Sequence, residues 1–156
     1  IGCAEQCKES SLSNVLVRTS VGSSGTGSDS YTGKYVGGLI GYCNTSNKID
    51  ICDTKISGQI TGYEYVGGFI GEFIGAETNR DTISFRGTNT IQSEESSYVL
   101  VSGQNVVGGA IGHLSKTSLT VDNPLIIYTN VKSDEIHFST LACVNLYVMK
   151  SHFELF

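Results

Sequence analysis

Short stretches in which apolar and polar side chains alternate recur along this chain. Four of them begin at residues 13, 47, 81 and 117, which are 34, 34 and 36 residues apart, and residues 151–156 continue the series. Strict alternation is typical of a β-strand with one buried face. The pattern therefore predicts one such strand in each repeat of about 34 residues.

If the repeats stack as parallel coils, equivalent side chains lie about 4.8 Å apart and form ladders along the stack. Two inward ladders are predicted: Val15, Ile49, Ile83, Leu119 and Phe153, and Val17, Ile51, Phe85, Val121 and Leu155. The residues between them are predicted to face outward: Leu16, Asp50, Ser84, Thr120 and Glu154. Burying an aliphatic side chain contributes about 1.5–3 kcal/mol, so these ladders would hold the coils together.

A glycine-rich string is the second recurring element. Tyr-Val-Gly-Gly-Leu-Ile-Gly at 35–41 returns as Tyr-Val-Gly-Gly-Phe-Ile-Gly at 65–71 and as Val-Val-Gly-Gly-Ala-Ile-Gly at 106–112. The paired glycines predict a corner at which backbones approach closely. Residues 142–145 would be a degenerate fourth copy, and Ile1-Gly2 resembles the tail of an earlier one.

A weaker third element, a hydroxyl residue followed by glycine, precedes each string at 32–33, 61–62 and 102–103. Each repeat thus offers roughly three short strands with no helix between them. This predicts an all-β protein, a parallel β-solenoid of about four coils rather than a propeller, whose blades need more strands. Right-handed winding is expected because parallel crossovers favour that hand.

The predicted organisation is a single solenoid segment over 1–156, a fragment of a longer repeat protein. Its repeats lie near 13–46, 47–80, 81–116 and 117–150, with the start of a fifth at 151–156. The composition agrees with strands and turns, since the chain has 19 Gly, one Pro and no Trp. These repeats would be one another's main partners.

The glycine-rich strings resemble the GLUG repeat of large bacterial and protist surface proteins and of secreted bacterial immunoglobulin A peptidases. The match is best at Gly38-Leu39-Ile40-Gly41, and the strings at 68–71 and 109–112 keep both glycines but change the leucine. The Gly-Gly-Ala-Ile at 108–111 is also similar to a motif of chlamydial polymorphic membrane proteins, although their Phe-x-x-Asn motif is missing. The resemblance implies a β-helical stalk or adhesin segment without catalytic residues.

Charge and hydropathy argue against two classes of partner. The formal net charge is −5 and the basic residues are scattered singly, so no basic stripe is available for nucleic acid. No window approaches 18 uninterrupted apolar residues, so no membrane-spanning segment is predicted.

The five cysteines do not form a metal motif. There is no Cys-x-x-Cys pair to start a metal-binding motif, so neither a metal site nor a cofactor is predicted. Cys3 and Cys7 share a loop and could form a disulfide. In the repeat alignment Cys43 occupies an apolar position. Cys52 occupies a surface position, the one that Arg18, Arg86 and Asp122 occupy in the other repeats.

Two kinds of surface site are predicted. Tyr35 and Tyr65 stack at one repeat position and could contact glycans, although cross-strand packing explains them equally well. Asn44 begins the one glycosylation sequon, Asn44-Thr45-Ser46.

Enzyme chemistry has little support in the sequence. His113, His137 and His152 occupy unrelated repeat positions without a nucleophile motif. Asp50 and Asp53, or Asp134 and Glu135, are candidate acid pairs for a polysaccharide-cleaving β-helix, but close acids also occur by chance. We therefore expect no enzyme.

The function expected from the sequence is a structural or adhesive segment of a large surface or secreted protein, as a stalk, filament or adhesin. Its location would be extracellular or at the cell surface. Partners outside the chain would be further copies in self-assembly, or host or cell-surface glycans or proteins. The alternative is a carbohydrate-active β-helix enzyme or a glycan-binding module.

Overall fold

The chain folds as a stack of parallel β-coils. A computed structural model describes residues 1–5, 9–24, 31–45, 48–75, 82–93, 99–123 and 125–133. Within these ranges every regular element is a β-strand. The predicted degenerate string at 142–145 and the fifth alternating stretch, with Phe153, Glu154 and Leu155, lie outside the described residues.

Twenty strands are described. They are β1 Cys3–Glu5, β2 Glu9–Ser13, β3 Leu16–Val17, β4 Val21–Ser24, β5 Tyr31–Thr32, β6 Tyr35–Gly37, β7 Ile40–Thr45, β8 Lys48–Cys52, β9 Lys55–Ile56, β10 Ile60–Thr61, β11 Tyr65–Gly67, β12 Ile70–Gly75, β13 Thr82–Arg86, β14 Thr90–Ile91, β15 Val99–Gly103, β16 Val106–Gly108, β17 Ile111–Ser115, β18 Ser118–Val121, β19 Ile126–Ile127 and β20 Thr129–Ser133.

The strands form five sheets, numbered here in the order in which the chain visits them. Sheet 1 contains β2, β8, β13 and β18; sheet 2 contains β3, β9, β14 and β19; sheet 3 contains β5, β4, β10, β15 and β20; sheet 4 contains β6, β11 and β16; and sheet 5 contains β1, β7, β12 and β17. Neighbouring strands are parallel except β4 and β5, which are antiparallel. The predicted parallel β-solenoid is confirmed.

Each complete coil among the described residues contributes to all five sheets, so the prediction of roughly three short strands in each repeat was wrong. The first coil contains β2, β3, β4, β6 and β7 with β5 as an additional strand beside β4, the second contains β8–β12 and the third β13–β17. Strands of two residues, such as β9 and β14, are too short for alternation to be read from sequence.

The coils differ in length, because some turns are longer than others. Tyr35 pairs with Tyr65, 30 residues on, and Tyr65 with Val106, 41 residues on. In sheet 1 the second coil is followed by the third at 34 residues, from Lys48 to Thr82. From the second coil on, the spacing of 34 to 36 residues read from the alternating stretches therefore holds in sheets 1 and 2, and it does not hold in sheet 4.

Sheet 1 contains the predicted ladders in its second to fourth strands. Ile83 pairs with Ile49 and Leu119, and Phe85 pairs with Ile51 and Val121. Phe85 is fully buried and packs against Phe69 with ring centroids 5.2 Å apart. These ladders form part of one continuous apolar core.

The first rung of each ladder was predicted wrongly. Ser10 and Leu12 pair with Ile49 and Ile51, where Val15 and Val17 were expected, and Val17 pairs with Ile56 in sheet 2. The stretch at 13–18 alternates, but it straddles a turn. Asn14 has a left-handed backbone with φ 55° and ends β2 there.

The same turn recurs after the next two strands of sheet 1, β8 and β13. Asp53 and Gly87 also directly follow the last paired residue of their strands, and their φ values are 50° and 64°. Asn, Asp and Gly are the residues that best tolerate this conformation. The turn residue therefore sets where sheet 1 ends and sheet 2 begins.

The glycine strings form the predicted corner, between sheets 4 and 5. Gly37, Gly67 and Gly108 are paired in register at the ends of their strands. A Cβ added at Gly67 would collide with the carbonyl oxygen of Ile70 and would lie 2.5 Å from the amide nitrogen of Gly112. Glycine is required here because two backbones meet, and not because of a positive φ.

Candidate functional site

The candidate site lies on the outer side of this corner, and we call it the outer strip. It consists of Tyr35 and Tyr65 from sheet 4 and of Tyr42, Glu72 and His113 from sheet 5. Sheet 4 pairs the first two residues, and sheet 5 pairs Glu72 with both Tyr42 and His113. The corner brings the two sets together because β6 and β11 run directly into the glycine turns.

The tyrosines of sheet 4 stack as the sequence predicted. The rings of Tyr35 and Tyr65 are nearly parallel, at 5°, with centroids 5.6 Å apart. Tyr42 packs against Tyr35 at 4.8 Å, and His113 packs against Tyr65 at 5.2 Å, both tilted. Aromatic contacts of this kind each add about 0.5–1.5 kcal/mol to the burial of the rings.

A buried carboxylate, that of Glu72, lies between Tyr42 and His113 in sheet 5. The side chain of Glu72 is only 5% exposed, and the Nδ1–H of His113 donates a hydrogen bond of 2.8 Å to its Oε1. A buried carboxylate needs such a partner because its desolvation is costly. The pair joins the second coil to the third.

A surface ion pair between Lys34 and Glu64 lies beside the tyrosines of sheet 4. Lys34 Nζ lies 3.1 Å from Glu64 Oε2 and 5.3 Å from the centre of the Tyr35 ring. The hydrogen bond to Glu64 and then the contact with Tyr35 raise the pKa of Lys34. Burial, and next the charge of Glu64, raise the pKa of Tyr65. The lysine therefore stays protonated and the Tyr65 hydroxyl stays neutral in the physiological range.

The chemistry that this arrangement offers is polar contact along ring edges. Tyr35 has Tyr65 on one face and the ammonium of Lys34 over its ring, so neither tyrosine presents a wide bare platform. The half-buried tyrosines and the imidazole can instead offer hydroxyl and N–H groups at the surface. Such groups suit a hydroxylated ligand or a polar protein surface.

Sequence reasoning found Tyr35 and Tyr65 but missed the other three members. A signal was present, since Tyr42, Glu72 and His113 each directly follow the last glycine of a string. Their side chains are chemically unlike one another, so no repeat pattern drew attention to them.

The other predicted surface positions lie elsewhere. Asn44 is exposed on β7, as an acceptor of a glycan must be, while Ser46 of the sequon lies outside the described residues. Cys3 is exposed, and Cys7 lies outside the described residues, so their disulfide stays a prediction.

Cys43 and Cys52 lie where the repeat alignment predicted, apart from one partner of Cys52. Cys43 is fully buried and pairs with Phe73, as predicted. Cys52 is half-buried on sheet 1, where it pairs with Arg86 as expected, although Ser13 takes the place predicted for Arg18. The hydrogen bond from its thiol to Asp53, followed by burial, raises the pKa of Cys52.

The candidate acids Asp50 and Asp53 have structural partners. Asp50 lies 3.1 Å from Lys48 Nζ and 3.8 Å from the Nε of Arg86. Asp53 accepts a hydrogen bond of 2.8 Å from the amide of Thr88 in the recurring turn. That bond and the Cys52 thiol lower the pKa of Asp53.

Asp134, Glu135, His137 and His152 lie outside the described residues. Within the described ranges, no group of three His, Cys, Asp or Glu side chains is placed to bind a metal ion. No helix of the described part has the length and hydropathy to span a membrane.

Comparison with known proteins returns no match among family models, curated proteins or solved structures. The resemblance to the GLUG repeat therefore stays a prediction.

Proposed function

We propose that this chain is a structural or adhesive segment of a large surface or secreted repeat protein. The observation that carries the proposal is the in-register pairing of the glycine strings in three successive coils. Such stacking makes each coil a template for the next, and it yields an extended body with regular spacing. A stalk, a filament or an adhesin uses that property directly.

The side-chain chemistry of sheet 1 also favours a scaffold. Its outer face carries ion pairs that cross from coil to coil: Arg86 lies 3.8 Å from Asp50 and 3.4 Å from Asp122. These charges are used to join neighbouring coils, and they make the exposed face hydrophilic. Individual surface pairs add little stability, but they discourage non-specific association of the sheet.

Location is the most direct test. An antibody raised against these residues should label intact, unpermeabilised cells of the source organism or detect the protein in its culture medium. Labelling that requires permeabilisation, with nothing in the medium, would contradict an extracellular or surface role. An antibody against a cytoplasmic protein of the same cells is the control for leakage.

Glycan binding through the outer strip is a second candidate, favoured by its stacked tyrosines and the enclosed Glu72. Binding of the chain to an immobilised glycan array should weaken at least about tenfold for Tyr65→Leu, because that change removes a central ring and its hydroxyl. Tyr63→Leu is the matched control, since Tyr63 is 40% exposed and lies outside the outer strip. Equal loss in both variants, or no binding by the parent chain, would count against this candidate.

Carbohydrate cleavage is the remaining alternative. It would require turnover of a polysaccharide that is lost in Asp50→Asn or Glu72→Gln. Absence of turnover across a panel of polysaccharides would leave the scaffold role.

A further inference from the structure

The tyrosine pair of the outer strip is also placed for a reaction between its own two rings. Tyr35 and Tyr65 belong to neighbouring coils, and their rings lie 5° from parallel with centroids 5.6 Å apart. Each side chain is half-buried, so part of each ring is accessible to solvent. Sheet 4 fixes this arrangement, because it pairs the two residues in register.

Phenol rings held this close can be joined by oxidation. A tyrosine that loses one electron and its hydroxyl proton becomes a phenoxyl radical, and two such radicals couple through the ring carbons beside the hydroxyl, the Cε atoms. In free solution the two radicals must meet by diffusion. Rings already stacked in one chain avoid that step, so coupling between them is favoured over coupling between chains.

The proton of Tyr65 has an acceptor within reach. Its hydroxyl donates a hydrogen bond to the carboxylate of Glu64. That carboxylate also lies 3.1 Å from Lys34 Nζ and is partly exposed, so a proton taken up there can pass on to water. Loss of the electron therefore does not leave a charged, oxidised phenol. Tyr65 is the ring on which we expect the first radical.

The surroundings of Tyr65 select its coupling partner. Among the described residues, Tyr65 has ring contacts with Tyr35 and with His113, and an imidazole cannot form this phenol-to-phenol bond. The composition also favours tyrosine as the aromatic residue that is oxidised, since the chain has eight tyrosines and no tryptophan. Tyr42 packs against Tyr35 at 4.8 Å and is the competing partner for that ring.

We propose that Tyr35 and Tyr65 form a site of oxidative cross-linking, at which a haem peroxidase with hydrogen peroxide joins them as dityrosine. Each ring gives up one electron and its hydroxyl proton, and one carbon–carbon bond forms between the two Cε atoms. The hydrogen on each of these carbons then leaves as a proton, and each phenol oxygen regains one. The pair loses two hydrogen atoms overall, and the peroxide is reduced to two molecules of water.

The product is a covalent link between the first coil and the second. Tyr65 lies 30 positions after Tyr35, so the link closes a loop of that length in the unfolded chain. Closing a loop lowers the entropy of the unfolded state and thereby favours the folded stack. The site is a modification site, which goes beyond the structural role proposed above.

The test oxidises the whole chain, at low concentration, with a haem peroxidase and hydrogen peroxide. Dityrosine fluorescence reports the reaction, and mass spectrometry of tryptic peptides locates the bond. Trypsin cleaves after four basic residues around the pair: Lys34, Lys48, Lys55 and Arg80. Tyr35 then lies on peptide 35–48 and Tyr65 on peptide 56–80. The proposed bond joins these peptides with loss of two hydrogens, whereas a bond from Tyr35 to Tyr42 leaves peptide 35–48 unjoined and two hydrogens lighter.

Single hydroxyl deletions assign the bond to its two rings. Tyr65→Phe and Tyr35→Phe should each abolish the joined peptides, because phenylalanine keeps a ring in the stack but has no hydroxyl hydrogen to lose. Tyr63→Phe is the matched control, since Tyr63 lies on the same peptide as Tyr65, is 40% exposed and lies outside the outer strip. Tyr63→Phe and Tyr42→Phe should both retain the joined peptides.

The joined peptides should be the main dityrosine product of the folded parent chain and should be lost when oxidation is carried out in urea that unfolds it. An equal yield from the unfolded chain would overturn the proposal. Dityrosine found only between chains, or only within peptide 35–48, would overturn it as well. The antibody experiment can fail while this bond forms, and the reverse, so location and cross-linking are tested separately.

Discussion

Sheet 1 and the corner between sheets 4 and 5 hold the coils together in different ways. In sheet 1 the contacts are between side chains, and Ser10 is accepted beside Ile49 in a ladder that is otherwise apolar. At the corner the contacts are between backbones, and a Cβ at Gly67 or Gly71 would meet main-chain atoms within 2.9 Å. Side chains can adjust to a substitution, whereas two backbones cannot. The corner should therefore tolerate less change than the ladders.

The largest effect is expected at the corner. Gly67→Val should destabilise the chain by about 4 kcal/mol or more, because its side chain must displace the backbone of Ile70 and Gly112. The measurement is the free energy of unfolding in urea. Gly2→Val is the control, since an added Cβ there meets no described atom within 4 Å. Similar losses in both variants would refute the distinction between backbone and side-chain contacts.

The next effect is expected in the ladders of sheet 1. Phe85→Ala should cost about 3–5 kcal/mol, because Phe85 is fully buried and leaves a cavity beside Phe69. Val15→Ala should cost only about 1 kcal/mol, since Val15 is half-buried and lies outside these ladders. A large loss for Val15→Ala would indicate that the ladder begins at Val15 after all.

A buried amide tests the turn between sheets 1 and 2. Asn89 is fully buried, accepts from the amide of Thr54 at 3.2 Å and donates to the carbonyl of Arg86 at 2.8 Å. Asn89→Ala should cost about 1–3 kcal/mol, because these groups lose their partner away from water. Thermal melts of each variant measure this loss. Gln92→Ala, at an exposed position, is the control and should leave the melting temperature nearly unchanged. Equal changes in the two variants would mean that Asn89 does not organise the turn.

Ser10→Val gives a smaller effect of opposite sign. It should stabilise the chain by about 0.5–1.5 kcal/mol, because it completes the ladder above Ile49. Ser11→Val, one residue on and facing outward, is the control. Stabilisation by Ser11→Val alone would place the other face of β2 inward.

The smallest effect concerns the dependence of the chain's stability on acidic pH. The pKa of Asp53 is lowered in the folded chain, so its contribution to stability is complete above the ordinary aspartate pKa of about 4 and is lost as the pH falls through the lower folded value. Asp53→Asn should remove that part of the acid dependence. Urea midpoints of the parent and the variant at pH 7 and pH 3 provide the measurement, and parallel pH curves would contradict it.

The fold could be predicted because the strings repeat with little change. Three copies of a motif that only glycine can satisfy leave one way to align the coils, and the pairing of Tyr35 with Tyr65 follows from it. The start of sheet 1 could not be aligned in this way. Val15 and Val17 alternate as well as Ser10 and Leu12 do, and only the turn at Asn14 separates the two readings.

The candidate site was predictable in part for the same reason. The repeated tyrosines stand at one position of the strings, so their stacking followed from the period. Glu72 and His113 share a position too, but a glutamate and a histidine suggest a pair only when the coils are known to lie side by side.

The sequence by itself determined that this chain stacks parallel coils and turns a tight corner at each glycine string, because those properties depend on short motifs that recur. The tertiary structure decided that the coils form five sheets, that Ser10 begins the ladder and that Glu72 is buried between Tyr42 and His113. These depend on contacts between residues 30 to 41 positions apart, where turns of unequal length shift one coil against the next.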